Sequence, residues 1–164
     1  FNRIRRVAWY YHGRRWEDVG EHEARTFLVI PLLLALGWAE QKIKIELPAG
    51  GRERADIACF SRPYGRNNGE CVLIIETKSF SQGLYYARKQ VERYAKELPN
   101  CQCIVASNGY CYKTWERRDD GKFDQKPSGF LNLLAPKDRY PLDPDNVLGC
   151  LEVLRVLLPT SWMS

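Results

Sequence analysis

Residues 71–94, CVLIIETKSFSQGLYYARKQVERY, decide how the chain folds. They open on an apolar run with the composition of a buried strand, which ends in Glu76 and Lys78 before an amphipathic segment begins. Side chains two apart on a strand share a face, so Glu76 and Lys78 project together, about 7 Å apart, where the sheet loses its cover. Beyond them Leu84, Ala87, Val91, Ala95 and Leu98 recur at three-to-four spacing. That predicts a helix on which Gln90 and Tyr94 lie one turn apart beside the apolar stripe. Strand, charged pair and helix form one unit.

Toward the N-terminus, QKIKIEL (41–47) alternates, with Ile43, Ile45 and Leu47 on one face and Lys42, Lys44 and Glu46 on the other. The turn PAGGRE returns the chain into RADIACF (54–60), its expected antiparallel partner, with Arg54, Asp56 and Ala58 on one face. The loop SRPYGRNNGE then leads into the strand of Glu76. Such a meander brings Asp56 beside Glu76, and two carboxylates so placed repel unless a cation lies between them. Further upstream, EHEARTFLVIPLLLAL (21–36) reads as a helix capped by Gly37 and kinked or divided at Pro31. The expected register sets Glu23 above Phe27, Ile30 and Leu34 on the buried face and turns Glu21 outward. Glu23 then either supports the helix N-terminus through its dipole or reaches a cation in the site. Residues 1–16 mix arginines with aromatics, either as a nucleic-acid arm or, the favoured reading, as a helix packing Ile4, Val7, Ala8 and Tyr11 on the domain.

Toward the C-terminus, CQCIVASN (101–108) is a short buried strand reached by a crossover, hence parallel to the strand of Glu76. Asn108-Gly109 turns it into YCYKTWER, and a final strand, GFLNLLAP, pairs with that one. An amphipathic helix over 145–158, aligning Leu148, Leu151, Leu154 and Leu158, completes the expected order.

With 164 residues, 45% apolar and 27% charged, the chain has the dimensions of one domain with one core of two or three layers. Residues 1–20 form an arm, 21–135 the core and 136–164 a C-terminal addition. The start at Phe1 without an initiator methionine suggests a piece of a longer polypeptide. A net charge of +5 suits a polyanionic partner but does not by itself require one. Cys59, Cys71, Cys101 and Cys103 fall in apolar runs, which points to buried free thiols in a reducing cytoplasm rather than disulfides. Cys101 and Cys103, one residue apart, are expected to share a face without the spacing of a zinc knuckle. No apolar run reaches the length of a membrane span.

Asp56, then Glu76-Thr77-Lys78, then Gln90-x-x-x-Tyr94 on the next helix resemble the PD-(D/E)xK nuclease superfamily. In detail LLLALGW, RADIACF, IIETK, QVERYA and IVASNGYCYKTW resemble the N-terminal nuclease domain of type I restriction enzyme motor subunits and related bacterial defence proteins. The likeness covers about residues 21–135 and departs at Ala55, where the pattern has proline. It implies an α/β, restriction-endonuclease-like αβββαβ core, with a mixed sheet flanked by helices and an added C-terminal hairpin and helix.

The resemblance also implies a magnesium-dependent endonuclease, with manganese able to substitute. Magnesium takes hard oxygen ligands, which suits Asp56, Glu76 and the main-chain carbonyl of Thr77. By resemblance Glu23 would hold the cation from the helix side, directly or through water. Lys78 would orient and help deprotonate the attacking water, and Gln90 would position Lys78 or the phosphate with Tyr94 behind it; Tyr94 and Arg54 are the candidate nucleic-acid contacts. The implied partners are DNA, taken as double-stranded, and other domains or subunits that supply specificity or translocation, with self-association left open. An inert salt-bridge cluster, a fold that grips nucleic acid or protein without cutting, and an RNA-directed nuclease remain as alternatives.

Overall fold

In the computed structural model, which describes residues 1–50, 53–66 and 68–162, six strands form one sheet in the order β1-β2-β3-β4-β5-β6. The strands are β1 (Ile43–Pro48), β2 (Arg54–Phe60), β3 (Cys71–Thr77), β4 (Cys103–Ser107), β5 (Cys111–Glu116) and β6 (Gly129–Asn132). All neighbours are antiparallel except β3 and β4, which run parallel and are joined by the crossover helix α4 (Ala87–Lys96). The helix, meander, helix and parallel strand expected from the sequence are present in that order. The tip of the β1–β2 turn, Gly51 and Arg52, lies outside the described residues.

β3 is buried at every position because it lies mid-sheet with both faces covered. Leu73 and Ile75 pack into a cluster with Leu28, Leu32, Tyr11 and Val153, drawn from the helices on one side. Cys71 and Ile74 pack into a second cluster with Val91 and Ala95 of α4, and Leu98 just beyond it, on the other. The core is therefore two apolar layers sandwiching one sheet. Cys101 falls in the second layer and Cys103 in the first, so the two do not share a face as expected.

The N-terminal segment is helix α1 (Asn2–Arg14), which buries Ile4, Ala8 and Tyr11. The next helical stretch is continuous but changes pitch: α2 (Glu21–Ala24), a π-turn (Arg25–Val29) and α3 (Ile30–Ala35). Pro31 offers no amide to the preceding turn, and the chain accommodates it by widening that turn rather than by breaking. Gly37, at φ +100, ends α3, with its amide on the Leu34 carbonyl and that of Trp38 on Leu33.

The buried stripe of this helix is Ala24, Arg25, Leu28, Val29, Leu32 and Leu33, whereas Phe27 and Leu34 are exposed. This reverses the expected register: Glu21 precedes Arg25 and Leu28 on the inward face, and Glu23 shares the outer one. The C-terminal helix needs a similar correction. α5 (Cys150–Leu157) starts five residues later than expected, leaving Leu148 outside it, and buries Val153, Val156 and Leu157 while Leu151 is exposed, so the aligned leucines are not its core stripe.

Candidate metal and catalytic site

The ends of β2 and β3 place the acidic groups. The register that sets Ile57 opposite Ile75 carries Asp56 beside Glu76 and Thr77, at the point where the ladder stops. The Thr77 amide and hydroxyl both donate to Asp56 Oδ2, at 2.7 and 2.6 Å, which fixes that carboxylate across the gap between strands. Just past the strand, the Phe80 amide donates to the Val19 carbonyl at 3.0 Å. This tie holds the start of α2 against the end of β3, and Glu21 in the first turn of α2 reaches the same notch. Carboxylate oxygens of Glu21, Asp56 and Glu76 all lie within 4.8 Å of one another.

Two cations border this cluster. Lys78 Nζ donates to Glu76 Oε1 at 2.7 Å and to Gln90 Oε1 at 3.1 Å, and Gln90 Nε2 donates to the Tyr94 hydroxyl at 2.8 Å. Glu76, Lys78, Gln90 and Tyr94 thus form one hydrogen-bonded line from β3 into α4. Arg25, from the π-turn, donates to Asp56 Oδ1 at 3.0 Å and contacts Glu46 at 3.4 Å and His22 Nδ1 at 3.0 Å. Only 7% of Arg25 is exposed. Glu46 sits opposite Asp56 at φ +53, a left-handed conformation that costs a non-glycine residue on the order of 1–2 kcal/mol.

Three carboxylates against two cations leave one net negative charge, and Glu46 adds another at the rim. Burial, then the field of Asp56, pushes Glu76 up to about 7 against the pull of Lys78. Burial and Asp56 raise Glu21 as well. Burial on its own would lower Lys78, but the hydrogen bond to Glu76 and the fields of Glu76, Glu21 and Asp56 outweigh it, so the ammonium is held charged. Glu76 Oε2 is buried with no hydrogen-bond partner among the described residues. A desolvated carboxylate oxygen without a donor is costly, and a cation beside it would remove that cost. Hard oxygen donors from three elements with one orphaned oxygen among them fit a divalent ion such as magnesium.

Asp56, Glu76, Thr77, Lys78 and Gln90 are therefore brought together, Thr77 meeting Asp56 through its amide and hydroxyl. The others are not. Glu23 accepts from the Gly20 amide at 3.3 Å and pairs with Arg15 at 3.1 Å, supporting the start of α2 instead of facing the cluster. Tyr94 is 3% exposed behind Gln90, so it braces that amide and is not a surface for nucleic acid. Arg54 is exposed and donates to the Glu46 carbonyl at 3.3 Å, apart from the cluster.

Residues 20–127 match the family model described as the type I restriction enzyme R protein N terminus. The chain belongs to this family. The part that matches the R protein N terminus contains Glu21, Asp56, Glu76, Lys78, Gln90 and Tyr94, and leaves out α1, β6 and α5. A solved structure described as the fragment of "a putative HsdR subunit of a type I restriction enzyme" from Vibrio vulnificus YJ016 is similar to it at a TM-score of 0.49 and 16% identity. That alignment covers 65% of this chain and spans 22% of the solved one. No curated protein matches. Within this R-protein domain, sequence reasoning missed Glu21 and Arg25. The signal available was their i, i+4 spacing followed by Leu28 and Leu32, a stripe that carries two charges into the core.

Proposed function

We propose that the chain is a magnesium-dependent endodeoxyribonuclease domain of a type I restriction system, cutting double-stranded DNA that other domains or subunits select. The observation that carries this reading is the convergence of Glu21, Asp56 and Glu76 within 4.8 Å around an unpartnered buried oxygen, with a charged lysine one bond away. Placing like charges together in a desolvated notch opposes folding, and no structural need for it is visible. Family membership supports the same reading.

Glu21, Asp56 and Glu76 would hold the ion, with the Thr77 carbonyl as a further oxygen. When bound, such an ion polarises the scissile phosphate and acidifies a coordinated water. The Thr77 amide and hydroxyl keep the Asp56 carboxylate turned toward the notch. Lys78 spends two ammonium protons on Glu76 and Gln90, and its third is free to donate to the attacking water or to a phosphate oxygen that gains charge. Gln90, locked by Tyr94, prevents the lysine from swinging away.

One observation favours the competing reading, a fold that binds without cutting: Asp56 already has Arg25 on one oxygen and Thr77 on the other. Calorimetric titration with magnesium or manganese, together with nicking of supercoiled plasmid, separates the two. The nuclease reading expects saturable metal binding and metal-dependent nicking, both lost in Asp56→Asn. A chain that neither binds metal nor nicks, or an Asp56→Asn variant that still cuts, defeats it.

A further inference from the structure

A second feature lies one helical turn from the site. Tyr85 and Tyr86, just before α4, are 81% and 79% exposed, whereas no other aromatic among the described residues exceeds 57%. Their rings meet edge to face, with centroids 5.0 Å apart. This exposure is not looseness, because the flanking Leu84 and Ala87 are buried against the second apolar layer and fix the pair on the outside. Tyr86 and Gln90 are four residues apart, so the tyrosine stands about 6 Å along the helix from the amide that holds Lys78.

The pair borders a groove lined by Tyr85, Tyr86, Lys89, Lys113, Trp115 and Lys126, with no carboxylate among its lining residues. Lys126 is engaged by Asp143 and Lys113 lies over the Tyr140 ring, while Lys89 makes no ion pair among the described residues. Trp115 is 3% exposed, and its indole Nε1–H is a buried donor without an acceptor among the described residues. Exposed aromatic faces beside cations, in a groove lined by no acid, match the chemistry of unpaired bases on a phosphate backbone. A duplex keeps its base faces stacked and would leave both tyrosines unused.

We propose that this groove binds single-stranded DNA, with Tyr85 and Tyr86 stacking on the unpaired bases of a strand that leaves the duplex beside the carboxylate cluster. The choice of DNA rests on the nuclease reading, but the test does not require cleavage. Fluorescence anisotropy in EDTA and low salt, with a labelled oligothymidine of about twelve nucleotides and a duplex of the same length, measures binding alone. Two lost stacks predict that Tyr85→Ala/Tyr86→Ala weakens single-strand binding at least about 30-fold and duplex binding by less than about threefold. Tyr85→Phe/Tyr86→Phe, which keeps the ring faces, should stay near the parent. Circular dichroism should show the alanine variant folded, since neither ring is buried. Failure of the parent to bind the single strand, alanine-variant binding within about threefold of the parent, or an equal loss for the duplex overturns the proposal. Loss of nicking with retained single-strand binding would count against the nuclease reading only.

Discussion

Glu76→Gln tests whether the acidic notch is a functional site or a structural ion pair, since the two readings predict opposite signs. Glu76 is raised from 4.5 in the open chain to about 7 in the fold. A carboxyl raised on folding binds its proton more tightly in the native state. Its stabilising contribution is therefore full below pH 4.5, declines as pH rises, and is gone above about 7. The gap corresponds to about 3 kcal/mol. Glutamine mimics the protonated form, so without divalent metal the variant should match the parent near pH 4.5 and exceed it by about 2–3 kcal/mol at pH 8. For a chain of this size that raises Tm by roughly 4–12 °C, readable by scanning calorimetry in EDTA. Saturating manganese should then narrow or reverse the order, because only the parent gains stability by binding it. A variant less stable than the parent at pH 8 in EDTA would show that the Glu76–Lys78 pair stabilises the fold, and would refute the reasoning.

Three further outcomes follow from the same geometry. Lys78→Met should reduce plasmid nicking at least about 100-fold, as loss of a positioned proton donor does, while calorimetry shows metal affinity undiminished because the lysine is not a ligand. Glu21→Gln should weaken manganese binding at least roughly tenfold, since it removes a charged oxygen donor, whereas Glu23→Gln should leave it unchanged and cost only about 0.5–1 kcal/mol in urea unfolding. Gly109→Ala should lower stability by about 2–4 kcal/mol, measured by the urea midpoint, because the residue is at φ +95 and a methyl group there would lie 2.6 Å from Leu28 Cδ1.

The parts of this domain that were legible in sequence are those with short-range signals. Alternation in β1 and β2, the apolar run of β3 and the Asn108-Gly109 turn each limit the backbone to few choices, and together they yield the meander, the crossover and the position of Asp56 beside Glu76. The spacing of Ala87, Val91 and Ala95 likewise oriented α4 correctly, and with it Gln90, although Leu84 and Leu98 pack just outside the helix ends. The helix carrying FLVIPLLLAL is apolar on nearly every side, so periodicity does not say which face is buried; packing against β3 and the widened turn decide it. That is why Glu21 and Glu23 exchange roles. Leucine content misled in the same way at α5, where the valines fill the core and Leu151 faces solvent. The alternation of β1 and β2 also lapses where Glu46 turns left-handed: Leu47 and Ala55 join Ala58 in the second apolar layer, a local strain that no spacing rule anticipates.

The π-turn at Arg25–Val29 bears on how this domain can vary in length. A turn of this kind is an ordinary helix with one residue inserted, so deleting a single residue within it restores a regular helix while the packed leucines of α3 stay in register. Because the wide turn absorbs its extra residue locally, the segment before it would keep its facing, whereas a deletion in the regular turns of α3 would rotate that segment by about 100° and draw it in by about 1.5 Å. In the first case Glu21 would stay at the notch, and in the second it would swing out while Glu23 moved nearer. Where a one-codon deletion falls along this helix therefore decides its outcome: within Arg25–Val29 it is expected to leave the acidic cluster facing the strands, and within α3 to scramble the cluster.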